Sequence, residues 1–202
     1  MATQTQEYHT SSQPLKPIWQ QPSHPATIKV RSSRTLASDS GAQAFHLTAT
    51  ANQDIPANTL VAKNTSTTLA SLKDYSTVQI SRNQHIRLNS DLLYCNHSCD
   101  PNVRFVTSTL AQESTQHTAT SEPPVAGAIE VWSIKDIPAG EELRFFYPST
   151  EWDMAQPFAC SCGADRCLGR VAGAKDLPTE TLKGYWLSAH IESLLAERDG
   201  LN

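Results

Sequence analysis

No apolar run in this chain approaches the roughly 20 residues that a membrane-spanning helix needs, so no membrane partner is expected. Runs of five or more Lys or Arg residues are missing too, and the formal net charge is -4. That balance argues against a nucleic-acid-binding face, and it leaves a basic substrate unrepelled. The opening stretch MATQTQEYHTSSQPLKP has no charged start followed by an apolar segment, so a secretory leader is not expected. An intracellular, reducing location, cytoplasm or nucleus, is the resulting expectation. A disulfide framework is disfavoured as well. The 5 cysteines are Cys95, Cys99, Cys160, Cys162 and Cys167. Their number is odd, and three crowd into CSCGADRC, where neighbours are badly placed to bridge each other. In a reducing compartment such crowding points to a metal.

A single domain with a real core fits 202 residues of which 39% are hydrophobic, and a monomer is expected. Residues 1–25 are rich in Gln, Ser, Thr, Pro and His and lack hydrophobic periodicity. They read as a disordered tail, with Ile18 and Trp19 docking locally. From Ile28 onward, short alternating runs predict strands: Ile28-Lys29-Val30-Arg31, Leu60-Val61-Ala62, Thr77-Val78-Gln79-Ile80 and Ile129-Glu130-Val131-Trp132. Residues 107–127 are polar, contain Pro-Pro and read as a long mobile loop. An internal echo links Asp54-Ile55-Pro56-Ala57-Asn58 with Asp136-Ile137-Pro138-Ala139-Gly140. Each reads as strand, Pro turn, left-handed residue, strand, with Asn58 and Gly140 where positive φ is tolerated. One clear helix is predicted near the C-terminus, capped by Thr179, with Leu182, Tyr185, Trp186, Ala189 and Leu194 on one face.

Three segments carry chemistry. The first is Cys160-x-Cys162-x-x-x-x-Cys167. Zinc wants four tetrahedral thiolate or imidazole ligands, so one is missing. Cys99 is the best candidate, and Cys95 and His97 compete with it. Four thiolates make a closed, structural site, because no position remains for a reacting water. The second is Asn96-His97-Ser98-Cys99-Asp100-Pro101-Asn102, on its own a turn-rich polar loop. The third is Gly140-Glu141-Glu142-Leu143-Arg144-Phe145-Phe146-Tyr147, a strand ending in an aromatic cluster and a phenol.

Taken in order and spacing, these segments resemble the SET and post-SET arrangement of lysine methyltransferases. The resemblance spans about residues 45–170 and is strongest over 94–169. Tyr147-Pro-Ser-Thr-Glu-Trp-Asp-Met154 further resembles short fungal and bacterial SET and post-SET proteins. The resemblance implies a mostly β fold of small curled sheets with a pseudo-knot and a four-cysteine zinc segment. It divides the chain into a SET domain over 26–155, a post-SET segment over 156–172 and a C-terminal helix over 173–202. It implies S-adenosylmethionine and zinc as cofactors, with Cys99, Cys160, Cys162 and Cys167 as zinc ligands. Asn96 and His97 would hold the methionine and adenine parts of the cofactor, and Leu168 or Phe158 would cover the adenine. Tyr147 would stand beside the transferred methyl, and Phe145 would tune how many methyl groups fit.

The chain departs from the family pattern in three places. No glycine occurs in Ala44-Phe45-His46-Leu47-Thr48-Ala49, where the family carries Gly-x-Gly. Phe146 stands where an acidic residue is usual, and Leu93-Tyr94-Cys95 stands where an arginine is usual. The pocket is therefore expected to be more apolar, with Phe145, Phe146, Tyr147 and Trp152 forming an aromatic channel. The leading functional expectation is methylation of a protein lysine. The alternatives are a small-molecule tailoring enzyme, methylating or cyclising, and a non-catalytic zinc-stabilised binding module.

Overall fold

The computed structural model of the protein describes residues 17–36, 43–109 and 127–201. β1 (Ile28–Leu36) and β2 (Gln43–Ala51) form an antiparallel ribbon in the register Ile28↔Ala51. Period-two alternation turns Ile28, Ala49 and Ala51 into the core. β3 (Leu60–Asn64), β4 (Thr68–Ala70), β5 (Thr77–Gln79) and β6 (His85–Arg87) follow. The last three make a small antiparallel sheet in the order β4-β6-β5. β7 (Asn96–His97) is short, and β8 (Val103–Thr109) and β9 (Gly127–Ser133) complete a sheet in the order β3-β9-β8. An irregularity in register between Leu60 and Ala62 lets both Val61 and Ala62 turn inward. β10 (Arg144–Phe145) lies parallel to β7, and β11 (Phe158–Ala159) pairs with β12 (Arg170–Val171).

The two echoed Pro turns meet each other. Ile55 and Ile137 exchange both backbone hydrogen bonds, at 2.9 and 2.8 Å. The Asp136 carboxylate accepts from the Ala57 N–H and the Asp54 carboxylate from the Ala139 N–H, each at 2.8 Å. Asn58 and Gly140 take the same left-handed backbone, with φ of 58° and 86°. This local two-fold closes the main core around Ile55, Ile137, Val131 and Leu143. Each such fully buried side chain stabilises the fold by about 1.5–3 kcal/mol.

Several expectations change in the folded chain. The tail is expected to run to residue 25, but one buried carboxylate ties down Trp19, Gln21 and Ser23, while Ile18, expected to dock beside Trp19, stays exposed. Asp91 accepts from the Trp19 indole (3.0 Å), the Gln21 amide (2.6 Å) and the Ser23 N–H (2.7 Å). Burial opposes ionisation of Asp91, yet these donors hold its carboxyl below the usual range. Residues 1–16 lie outside the described residues. The polar loop is shorter than 107–127, because β8 runs to Thr109 and β9 begins at Gly127; residues 110–126 lie outside the described residues. The single predicted helix is two. α1 (Thr179–Leu182) ends before Gly184, and α2 (Ala189–Arg198) starts after Ser188. Thr179 is helical rather than a cap, since Pro178 precedes it as the extended residue. Glycine weakens a helix interior, and the Ser188 N–H is drawn off to the Ser149 carbonyl at 2.9 Å. Ala189 is left exposed, while Leu182, Ile191, Leu194 and Leu195 are buried.

Candidate active site and metal centre

The parallel pairing of β7 with β10 builds the site, with Arg144 opposite Asn96 and Phe145 opposite His97. Asn102 splints the pairing. Its side-chain oxygen accepts from the Arg144 N–H at 2.8 Å, and its amide donates to the Glu142 carbonyl at 2.8 Å. The chain then turns through a short 3-10 helix, Tyr147–Ser149, which brings the Tyr147 N–H to Nδ1 of His97 at 3.1 Å. Because Nδ1 accepts that hydrogen, Nε2 carries the ring proton. Nε2 points at Cys99 Sγ, 3.3 Å away. Burial pushes the His97 imidazole down to about 4, so the ring is neutral near pH 7. The Tyr147 hydroxyl donates to the Cys95 carbonyl at 3.2 Å. Burial raises its proton affinity above the ordinary phenol range, so it stays protonated.

These residues border a cavity of about 970 Å³. One wall is apolar: Val78, Leu88, Leu92, Phe105 and Phe145. Phe145 stacks on Phe105 with centroids 4.0 Å apart and leans on Tyr147 at 4.7 Å. Another wall is polar: His46, Asn96, Glu142 and Arg144. The Asn96 amide donates to a Glu142 carboxylate oxygen at 2.7 Å. Nε of Arg144 is buried with no partner among the described residues. Phe158 lines the cavity and meets the His97 ring edge-on at 5.7 Å.

Phe146, Trp152 and Leu168 are placed elsewhere. All three join a second apolar cluster with Ala174, Leu182, Ile191 and Leu195. Phe146 stacks on Tyr185 with centroids 3.7 Å apart. The phenylalanine in place of the usual acid thus anchors the C-terminal helices rather than lining a channel. Leu168 approaches the site only through its backbone, whose N–H points at Cys99 Sγ at 3.4 Å.

The sulfurs of Cys99, Cys160, Cys162 and Cys167 lie within 4.8 Å of one another. Cys99 and Cys160 are 3.9 Å apart, close to the edge of about 3.8 Å that a tetrahedron with zinc–sulfur bonds of about 2.3 Å requires. Peptide N–H groups of Cys99 and Leu168 approach the sulfurs of Cys162 and Cys99, the donor pattern that stabilises bound thiolates. Burial opposes ionisation of Cys162, but N–H groups of Ala164 and Cys99 and the neighbouring thiols bring it down to about 6. The donor set fits a closed zinc site. Cys95, an alternative fourth ligand in the sequence, is buried in the main core instead.

Glu142, Arg144 and Glu151, all on the cavity wall, had no assigned part in the sequence reading. Glu142 and Arg144 alternate at and just before β10, a pattern that sequence periodicity contains. For Glu151 the residue order carries no such signal.

The SET domain model matches residues 46–148. The chain belongs to the SET-domain family. Over 180 residues, 89% of its length, it is 39% identical to Methyltransferase flvH of Aspergillus flavus, covering 87% of that protein. Over 109 residues it is 33% identical to an Aspergillus oryzae protein named histone-lysine N-methyltransferase, H3 lysine-36 specific. That second match spans 53% of this chain and 9% of the larger protein. The mostly strand architecture of small sheets is that of the SET fold. The enzyme class is that of the S-adenosylmethionine-dependent SET methyltransferases. Cys160, Cys162 and Cys167 lie beyond the matched stretch.

Proposed function

We propose that this SET protein methylates an amine nitrogen, with a protein lysine side chain as the leading substrate. The observation that carries the reading is the meeting of Asn96, His97, Phe145 and Tyr147 on one cavity. S-adenosylmethionine, when bound, supplies a sulfonium methyl group. Asn96 and Arg144, whose Nε has no partner among the described residues, would hold its polar methionine end, and Phe158 would cover its adenine. Phe145 and the apolar wall exclude water and favour a neutral amine. Tyr147 acts as an acceptor. Its hydroxyl hydrogen is committed to Cys95, so its lone pairs face outward for weak C–H···O contacts with a polarised methyl. Positioning of this kind supplies several kcal/mol without an ionised phenol. His97 holds Tyr147 through the backbone. Cys99, Cys160, Cys162 and Cys167 would bind zinc structurally and clamp the segment carrying Phe158 against the motif loop.

A small amine is the second reading. It is supported by the near full-length match to Methyltransferase flvH, against 9% of the histone-directed relative. Calorimetry with S-adenosylmethionine tests the cofactor part of the proposal. Labelled-methyl transfer to a lysine peptide array and to free alkylamines then separates the two substrates. Failure to bind S-adenosylmethionine would overturn both readings.

A further inference from the structure

Glu151 sits just past the tyrosine, its N–H bonded to the Tyr147 carbonyl at 3.0 Å. Its side chain is 12% exposed and borders the cavity. One oxygen is fully used. Oε1 accepts from the Gln79 N–H at 2.7 Å and faces the Thr150 hydroxyl at 3.4 Å. Gln79 answers by accepting from the Trp152 N–H at 2.9 Å, so this half of the carboxylate braces β5. Among the described residues the other oxygen, Oε2, has only His85 Nε2 nearby, at 3.8 Å, beyond hydrogen-bonding reach. Nε2 of His85 is itself buried and without a partner among the described residues. Buried polar groups in folded proteins are nearly always paired. Oε2 of Glu151 instead opens on the cavity, where a donor that enters can bond to it.

The remaining neighbours do not satisfy it. Lys73 is engaged with Asp153 at 2.8 Å, and His190 is hydrogen-bonded to the Thr150 carbonyl at 2.8 Å. Of the other carboxylates on the cavity wall, Asp74 pairs with Arg87 at 2.7 Å, and one oxygen of Glu142 accepts from the Asn96 amide at 2.7 Å. The apolar wall leaves room for an alkyl chain, and the open carboxylate oxygen suits the three donors of an ammonium.

We propose that Glu151 is the specificity residue that receives the substrate amine in its ammonium form through Oε2, before the proton is lost to solvent and the neutral nitrogen meets the apolar wall, so the cavity selects alkylamines over neutral molecules of the same shape. This rests on the amine-methylation reading and supplies its missing recognition group.

The test uses two probes, n-butylammonium and the neutral 1-butanol, followed by calorimetry or thermal shift. It is run with and without S-adenosylhomocysteine, at pH 8, above the value of about 7 to which burial raises this carboxyl. Wild-type protein binds the cation at least tenfold more tightly than the alcohol. Glu151→Gln keeps an acceptor for the Gln79 N–H but loses the charge, and its preference falls below threefold while its fold is unchanged by circular dichroism. Equal binding of the two probes by wild type, no binding of the cation, or an undiminished preference in Glu151→Gln overturns the proposal. Failure of S-adenosylhomocysteine to bind sinks the methyltransferase reading separately, since ammonium preference is also read without it.

Discussion

Tyr147 and His97 are joined backbone to ring, the Tyr147 N–H donating to Nδ1 at 3.1 Å. This bond sets the ring tautomer and aims Nε2 at Cys99, 3.3 Å from its sulfur. One imidazole thus touches both the catalytic candidate and the metal-binding candidate. His97→Ala should lower zinc affinity and methyl transfer together, each by roughly 10–100-fold, the usual cost of losing a partner of a metal ligand. Chelator competition and a labelled-methyl assay measure the two effects. A loss in only one of them would show that the ring does not link the sites.

Tyr147→Phe removes the hydroxyl while keeping the ring against Phe145 and His97. We expect turnover to drop at least tenfold with zinc content unchanged. The lost bond to the Cys95 carbonyl should cost about 1 kcal/mol of stability, or roughly 2–4 °C in melting temperature for a chain of this size. Full activity in a folded, zinc-replete variant would remove the phenol from the reaction.

Zinc removal should destabilise the fold. Cys99 and Cys160 are 61 residues apart in sequence. Closing a loop of that length contributes about 4 kcal/mol by chain-entropy arguments. Chelation should therefore lower the melting temperature by roughly 8–16 °C and raise hydrogen exchange over residues 158–171. Elemental analysis that finds no zinc in native protein would contradict the site directly.

The Glu151 carboxyl makes a signed prediction about pH. Burial raises it from 4.5 to about 7, so the folded protein favours its protonated form. Its contribution to stability is fully present below pH 4.5 and is lost as pH rises to about 7. The loss amounts to about 3 kcal/mol at most. Glu151→Gln, without a titrating group, should be more stable than wild type above that value and should lose that part of the pH dependence. Parallel denaturation curves for the two proteins across this pH range would refute the buried ionisation.

Much of the scaffold is legible in residue order. Ile129-Glu130-Val131-Trp132 alternates because one face of β9 is buried, and period-two patterning records that directly. The Asp-Ile-Pro-Ala echo is legible as two turns, yet nothing in it says that Ile55 and Ile137, far apart in the chain, pair with each other. The helix prediction misled because apolar spacing runs through Gly184, while the Ser188 N–H is captured by a distant carbonyl. Phe146 read as a channel residue from its neighbours Phe145 and Tyr147. Strand alternation and the arrival of Tyr185 instead send it to the opposite side.

Residue types and spacing alone dictate a β-rich chain, a cysteine cluster one ligand short of zinc, and a turn-rich polar loop at residues 96–102. These are local or compositional properties, written wherever neighbouring side chains share a face or a turn. Only the folded chain decides that Cys99 rather than Cys95 joins the cluster, that Asp91 holds Trp19, Gln21 and Ser23, and that Glu151 keeps one oxygen open to the cavity. Each depends on which distant groups arrive within about 3 Å, and contacts of that range follow from packing the whole core rather than from any segment of it.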